Sequence, residues 1–223
     1  MGFHHQPNLI NNGLILALDA ADKVSHSSGS TTWADLSSEG NTGTLTNSPT
    51  FDSGVGGSIV FDGSNDYVDI GDIGDVFGTS FAVVMWFNTE DVDNRQEYIG
   101  QYQDGNNWWR WGNDELDNWE VDIQDNGTRT AEVNPDWSVV ANEWVHVACS
   151  RNGATWNFYK NGEVNGTGNN SASVPDIAAS VTIGNVTGAA FEGKIASVQI
   201  YDRYLTTEEV RQNYNVTKKR FGL

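Results

Sequence analysis

The chain has 223 residues and a formal net charge of −18, from 30 acidic and 12 basic residues. Because a phosphate backbone is bound through clustered Lys and Arg, this balance argues against a nucleic-acid partner. No apolar run approaches the roughly 18 residues that cross a bilayer, and the first residues lack a charged segment followed by an apolar one. We therefore expect neither membrane insertion nor a secretory signal.

The composition favours strands over helices. The chain contains 24 Gly, 9 Trp, 9 Phe and 7 Tyr, and its single cysteine, Cys149, cannot form an intrachain disulfide. Aromatic and β-branched residues are enriched in strands, and a chain of this length can form one all-β domain. We predict that residues 13–216 form this domain, with residues 1–12 as an N-terminal arm and residues 217–223 as a short basic tail in solvent.

The first half of the chain is typical of short strands separated by polar turns. Residues 13–19 are a continuous apolar run, which predicts a strand buried on both faces. Residues 40–46 end in a brief strand. In residues 58–71, two short apolar arms flank the turn sequence DGSND, so we predict a β-hairpin. Residues 80–87 are apolar throughout and predict a central strand.

The second half predicts an antiparallel meander, two hairpins and a final helix. Asn-Gly pairs at residues 152–153 and 161–162 indicate hairpin turns. Thr206 with Glu209 three residues later forms a capping box that begins a short helix. The remaining predicted strands are residues 97–101, 107–111, 119–124, 128–133, 180–184 and 193–201.

Oxygen-bearing side chains cluster in the turn of the predicted hairpin. Asp62, Asn65 and Asp66 lie within five residues, and Asp35 or Asn41 from an earlier loop could join them. Ca²⁺ takes about six to eight oxygen ligands, so a structural Ca²⁺ site is one interpretation. The other is that these side chains hydrogen-bond the turn itself. Both interpretations stay open, and no other cofactor is predicted.

Tryptophans cluster between residues 108 and 119. Strand alternation places Trp109 and Trp111 on one face, and Trp108 and Arg110 on the other. An exposed indole can stack on a sugar ring, and a protein interface is also rich in Trp and Arg. The five residues predicted to bind a sugar or a protein, with core packing as the remaining alternative, are Trp108, Trp109, Arg110, Trp111 and Trp119.

A single histidine, His146, lies on a predicted strand, where it alternates with Trp144 and Ala148. A lone histidine in such a position is more often a structural residue than a metal ligand or a base. We therefore predict a structural role for His146.

Three separated segments resemble one family. FDGSNDYVDIG at residues 61–71, DLSSEGNTGTL at 35–45 and GKIASVQIYDRYLTTEEV at 193–210 together resemble the LamG-like, concanavalin A-type lectin/glucanase jellyroll domains. The resemblance covers essentially the whole chain. It implies an all-β jellyroll sandwich of two antiparallel sheets with one short C-terminal helix, and related domains often hold a structural Ca²⁺.

The opening MGFHHQPNLINNGLILALDAADK, followed by TTWADLSSEGNTGTLTNSPTF, is similar to stand-alone LamG-like proteins of tailed phages. These look like virion structural proteins. The likeness implies a non-catalytic capsid decoration or cement protein, or a surface-displayed binding protein, that is made in the host cytoplasm and located on the virion surface. Other virion proteins would be its partners, and it could form a homo-oligomer. The alternative is a receptor-binding lectin of a tail or fibre that recognises host-surface glycans.

Residues 115–120, ELDNWE, resemble the E-[ILV]-D-x-x-E signature of laminarinase-type retaining glucanases. The resemblance would make Glu115 the nucleophile and Glu120 the acid/base, with a bulge that lets both share one strand face. However, Asn118 stands where the signature has an apolar residue, and the preceding Gly-Asn-Asp is typical of a turn. We therefore expect no enzymatic activity and keep a retaining β-glucanase as the second alternative.

Overall fold

The computed structural model describes residues 8–115, 118–134 and 140–223. These residues contain helix α1 (Thr207–Thr217) and 3₁₀ helices at Gly54–Gly56 and Lys218–Phe221. Their strands are β1 (Leu14–Asp19), β2 (Thr32–Trp33), β3 (Gly43–Thr46), β4 (Thr50–Asp52), β5 (Ser58–Asp62), β6 (Tyr67–Gly71), β7 (Ser80–Thr89), β8 (Gln96–Asp104), β9 (Asn107–Asn113), β10 (Trp119–Asp125), β11 (Thr128–Val133), β12 (Val145–Asn152), β13 (Thr155–Lys160), β14 (Glu163–Asn169), β15 (Val181–Ile183) and β16 (Glu192–Tyr201).

The strands form two antiparallel sheets that pack face to face. The back sheet has the order β14-β13-β12-β7-β16-β5-β4, and β1 also pairs with β16. The front sheet has the order β11-β10-β9-β8-β15-β6-β3-β2. The predicted fold, a two-sheet antiparallel jellyroll sandwich with one short C-terminal helix, is confirmed.

Aromatic side chains fill the space between the sheets. Phe81 of β7 and Trp109 of β9 are each 1% exposed. The ring of Phe77 lies 4.4 Å from that of Trp109, and Trp111 stacks on Trp119 at 4.8 Å, both measured between ring centroids. Large rings bury more apolar area than any other side chain, so they dominate the stability of this core.

Residues 58–71 form the two predicted strands but not the predicted hairpin. β5 pairs with β4 and β16 in the back sheet, whereas β6 pairs with β3 and β15 in the front sheet. The connection therefore crosses from one sheet to the other. Ser64 N–H donates to Asp62 Oδ1 at 2.9 Å, and Asp62 N–H donates to Asp66 Oδ2 at 3.2 Å. Turn side chains thus satisfy backbone groups that a hairpin partner would otherwise satisfy.

The other predicted local pairings are present. Strands β8 to β11 form the meander, and β12, β13 and β14 form two successive hairpins. At the second hairpin turn, Asn161 and Gly162 have φ values of 51° and 80°, as a type I′ turn requires. β7 lies in the middle of the back sheet, as its apolar sequence predicts.

Helix α1 covers the outer surface of the back sheet. Its capping box is complete, because Thr206 and Glu209 each accept a hydrogen bond from the other's backbone N–H. Val210 of the helix and Leu205 before it belong to an apolar cluster with Ala82 and Val84 of β7. This second apolar layer explains why β7 is buried on both faces.

The C-terminal residues are not the predicted solvated tail. The ring of Phe221 stacks on Trp86 with 3.9 Å between centroids. Arg220 Nε donates to the carbonyl of Val55 at 2.6 Å, and its guanidinium pairs with Asp19 at 2.6 Å. The prediction from basic residues alone was wrong because the partners of this segment come from distant parts of the chain.

Residues 8–12 of the predicted arm also lie against the domain. Ile10 N–H donates to Asn213 Oδ1 at 2.9 Å, and the Tyr201 hydroxyl donates to the Ile10 carbonyl at 3.0 Å. The arm prediction is therefore wrong for residues 8–12, while residues 1–7 lie outside the described residues. In the part of the chain that the structure describes, no helix is long and apolar enough to cross a membrane.

Candidate functional site

The tryptophan cluster divides between the core and the outer surface of the front sheet. Trp109, Trp111 and Trp119 are each 1% exposed and pack between the sheets. The sugar-stacking or interface role predicted for these three is therefore wrong, because the back sheet covers them. Trp108 and Arg110 lie on the opposite, outer side of the same strands, as alternation predicts.

Arg110 lies at the centre of an ionic network on the outer surface of the front sheet. Its guanidinium is 2.7 Å from Asp122 and 3.3 Å from Glu97, and it lies 4.7 Å from the centroid of the Trp108 ring. The carboxylates are 2% and 0% exposed. A buried guanidinium needs such partners, because an unpaired buried charge is strongly destabilising.

Two further arginines complete this network. Arg129 Nε donates to Asp122 Oδ1 at 2.7 Å, and Arg129 Nη2 donates to Glu120 Oε1 at 2.9 Å. Arg95 donates a short hydrogen bond to Glu120 Oε2. Burial raises the pKa of Glu120, although Arg95 and Arg129 partly oppose this effect. The arginines neutralise the carboxylates and hold them in place.

Glu97 connects the network to the loop between β15 and β16. Its Oε2 accepts hydrogen bonds from the backbone N–H groups of Val186 at 2.8 Å and Thr187 at 2.5 Å. The Thr187 hydroxyl donates to the other carboxylate oxygen. At Gly100 an added Cβ would lie 2.2 Å from the carbonyl oxygen of Trp109 and 3.0 Å from Val186 Cγ1, so glycine lets both β9 and this loop approach β8. The loop is therefore fixed as one wall of a cleft.

This Tyr67 cleft is an open depression on the outer surface of the front sheet. Its volume is about 280 Å³. It brings together residues from β6, β15 and the loops beside them. The lining residues are Asn47, Asn65, Tyr67, Asp69, Thr182, Asn185 and Val186.

Hydrogen bonds inside the Tyr67 cleft use only part of its polar groups. Asn47 Nδ2 donates to the Asn65 carbonyl at 2.8 Å, and the Thr182 hydroxyl donates to the Asn185 carbonyl at 2.7 Å. Asp69 Oδ1 accepts from Gly71 N–H at 2.8 Å. Asn185 Oδ1 accepts from Gly188 N–H at 3.0 Å, so within the described residues Asp69 Oδ2 and Asn185 Nδ2 are available to a ligand.

The wall of the Tyr67 cleft contains unusual backbone geometry. Asn47 and Ser48 have φ values of 69° and 88°. Non-glycine residues with positive φ are uncommon, and such conformations cluster at binding sites. No sequence signal pointed to this cleft, because its side chains come from three segments that are far apart in the chain.

A second aromatic feature lies on the same outer surface. Tyr102 of β8 pairs directly with Trp108 of β9. Tyr102 is 44% exposed, and Trp108 is half-buried. This Tyr102–Trp108 pair is the part of the predicted tryptophan site that remains accessible.

The structure does not assemble the five predicted Ca²⁺ ligands. The Asp35 carboxylate accepts from the backbone N–H groups of Ala17 and Asn41, both at 2.8 Å, so it anchors its own loop. Asp35 lies near the β3 end at Gly43, while the turn after β5 lies near the other end, where Thr46 pairs with Tyr67. Among the described residues, no group of three or more His, Cys, Asp or Glu could hold a metal.

Asp66 keeps part of the metal prediction open. It is 3% exposed, and its Oδ1 is buried without a hydrogen-bond partner among the described residues. Burial and the nearby charge of Asp62 raise the pKa of Asp66. The predicted Ca²⁺ site is now restricted to Asp62, Asn65 and Asp66 and stays a prediction.

The glucanase signature does not lie on one strand. Glu120 belongs to β10, whereas Glu115 lies in the turn before it, and Asp117 lies outside the described residues. Glu115 and Glu120 line a shallow pocket of about 210 Å³ with Arg95 and Asp114. The shared strand face that the signature predicts is therefore wrong, because β10 begins only at Trp119.

The chain belongs to the concanavalin A-like lectin/glucanases superfamily. The sequence model of that superfamily matches residues 62–211, which confirms the family resemblance. No curated protein matches the sequence.

Solved structures share the fold at low sequence identity. Domain 4 of AbnA, a GH43 extracellular arabinanase from Geobacillus stearothermophilus in complex with arabinotriose, is 18% identical, with a TM-score of 0.72 over 92% of this chain and 100% of that one. The binding domain of Paraclostridial Mosquitocidal Protein 1 is 14% identical, with a TM-score of 0.70. The match covers 91% of this chain and 52% of that one. The botulinum neurotoxin serotype D binding domain is 17% identical, with a TM-score of 0.71. The match covers 92% of this chain and 52% of that one. The chain thus spans about half the length of these two toxin domains.

Proposed function

We propose that the chain is a non-catalytic carbohydrate-binding domain and that a sugar ring binds in the Tyr67 cleft. The observation that carries this proposal is the lining of the cleft, in which the amides of Asn47, Asn65 and Asn185 and the carboxylate of Asp69 surround one aromatic ring. An aromatic ring stacks on the apolar face of a sugar, and a few placed amides and carboxylates bind its hydroxyls. The arabinotriose complex of the arabinanase domain supports the proposal at the level of the fold.

We propose that the chain is not catalytic because arginines hydrogen-bond the carboxylate of Glu120. Both of its carboxylate oxygens accept hydrogen bonds from arginines, Oε1 from Arg129 and Oε2 from Arg110. A retaining glycosidase needs one carboxylate free to attack and one carboxylic acid free to give a proton. Laminarin should therefore stay intact in the presence of the protein, and hydrolysis that disappears in Glu115→Gln would contradict this proposal.

A glycan array with the full chain tests the binding function. We expect the wild-type protein to bind at least one class of glycan, and we expect Tyr67→Ala to lose that binding because the stacking surface is removed. Tyr204→Ala is the matched control, because Tyr204 is also exposed (40%) but lies outside the cleft. Failure to bind any glycan, or binding that survives in Tyr67→Ala, would contradict the proposed site.

We also propose that this domain is displayed on the surface of a tailed-phage virion, as a capsid decoration or as part of a tail or fibre. The sequence resemblance supports this location. Residues 8–12 and the Lys218–Phe221 helix lie against the outer surface of the back sheet, through Ile10 and Phe221. Attachment through either end would leave the front sheet and the Tyr67 cleft facing away from the particle.

Deletion of residues 1–7 tests the proposed attachment. This deletion spares the contacts of Ile10, so the purified variant should melt like the wild-type protein. We expect the variant to be missing from virions that otherwise assemble normally. Particles that carry the variant at full occupancy would contradict attachment through this segment.

A further inference from the structure

We infer that the ligand is an uncharged glycan chain several residues long, which runs across the front sheet from the Tyr67 cleft to the Tyr102–Trp108 pair. The inference rests on the proposed function and adds the length and charge of the ligand. It comes from three observations: the separation of the two aromatic sites, the small residues between them, and the charges around them.

The strand register determines the separation of the two aromatic sites. Val68 of β6 and Ile99 of β8 both pair with Ile183 of β15, so β6 and β8 run in the same direction with one strand between them. Tyr102 therefore lies two strands away from Tyr67 and four residues further along the common direction of β6 and β8. With a strand spacing of about 4.8 Å and a rise of about 3.3 Å per residue, the two backbone positions are on the order of 16 Å apart. One sugar ring cannot contact both sites, whereas a chain of several rings can.

Small side chains lie along the path between the two sites. Asp69 pairs directly with Thr182, and both line the Tyr67 cleft. Alternation along β15 puts Ser180 next to Thr182 on the outer surface, in the direction of Tyr102, and the register shift between β6 and β15 lies beside it at Gly71. At Gly71, an added Cβ would meet no atom within 4 Å. The described residues thus leave this part of the surface open.

The charges along the path favour a ligand without anionic groups. Among the described residues that line the Tyr67 cleft, Asp69 alone is acidic or basic. Arg110, the cation at the centre of the network, is paired with Glu97 and Asp122. A carboxylate or phosphate on the sugar would therefore lie near Asp69 without a free cation, on a chain of net charge −18. Like charges brought together in this way are repelled.

Calorimetric titration of the full chain tests the predicted length of the ligand. The probes are cello- and arabino-oligosaccharides of two and six residues, together with the two lengths of the neutral glycan that binds best on the array. We expect the six-residue probe to bind about tenfold more tightly than the two-residue probe, because the second site acts at high effective concentration. Tyr102→Ala should bring this ratio close to one, while Tyr204→Ala should keep it.

Hexameric oligogalacturonate tests the predicted charge, and we expect it to bind more weakly than the best neutral hexamer. Equal affinity for short and long probes, a length effect that survives in Tyr102→Ala, or a preference for oligogalacturonate or other anionic glycans would overturn the inference. In each of those cases, binding that depends on Tyr67 would still support the proposed function. Absence of binding to every glycan on the array would instead overturn the proposed function.

Discussion

At the scale of single residues, His146 shows what burial does to an ionisable side chain. Its ring lies 5.3 Å from that of Trp86 and 5.6 Å from that of Tyr214, and its Nδ1 has no hydrogen-bond partner among the described residues. Burial disfavours the charged imidazolium and lowers the pKa of His146 from 6.5 to about 3. This environment agrees with the structural role that the sequence predicted.

We predict that His146 makes the folded state sensitive to acid. In the unfolded chain His146 binds a proton near pH 6.5, whereas in the folded protein it does so only near pH 3. The folded state therefore loses stability as the pH falls below 6.5, by about 2 kcal/mol between pH 6.5 and about pH 5. His146→Phe keeps the ring contacts and should remove this part of the pH dependence. Denaturant unfolding of both proteins over this range measures the difference, and parallel curves would contradict the assignment.

Arg110 makes a second prediction at this scale. Arg110→Met leaves the buried carboxylates of Glu97 and Asp122 without their shared cation. Breaking a buried ion pair from one side costs about 3–5 kcal/mol, so we expect a loss of this size in the free energy of unfolding. Arg211→Met is the matched control: Arg211 pairs with Glu163 at 2.7 Å in solvent, where water screens the interaction. A loss for Arg110→Met as small as that for Arg211→Met would show that the network is not stabilising.

At the scale of elements, the C-terminal 3₁₀ helix behaves as part of the domain. We predict that Phe221→Ala lowers the free energy of unfolding by about 2 kcal/mol, less than for a fully buried phenylalanine, because Phe221 stacks on Trp86 but stays half-buried. Leu223→Ala, two residues further on and 49% exposed, should have little effect. Thermal unfolding of the two variants separates a docked segment from a solvated tail.

The strands could be predicted from the sequence, but some of their partners could not. Alternation and apolar runs determine where β7, β9 and β16 lie, because each must bury one or both of its faces. The turn residues Asp62 to Asp66 favour a sharp reversal whether the two arms pair or enter different sheets, so local chemistry cannot distinguish the two. The Tyr67 cleft was missed for a related reason: Asn47, Tyr67 and Asn185 come together only through the order of strands in the front sheet.

At the scale of the whole molecule, net charge is the dominant electrostatic property. With a charge of −18, the folded chain repels itself, and added salt screens this repulsion. We therefore predict that NaCl raises the melting temperature. CaCl₂ at equal ionic strength should raise it further, because the Asp62–Asp66 turn offers a buried carboxylate oxygen without a partner. Asp66→Asn should abolish the extra rise while keeping the effect of NaCl, and identical curves in the two salts would remove the predicted Ca²⁺ site.

The position of β16 has a consequence for how this protein is made. This strand begins about a hundred residues after β7 ends, yet it lies between β7 and β5 in the back sheet and also pairs with β1. Strands separated by more than a hundred residues must therefore meet before the core can close, which is the kind of topology that folds slowly. A nascent chain on the ribosome holds unpaired strand edges until Tyr201 has emerged. Closure of this sandwich therefore waits until β16 has been synthesised, and during this interval the unpaired strands are exposed to aggregation and proteolysis.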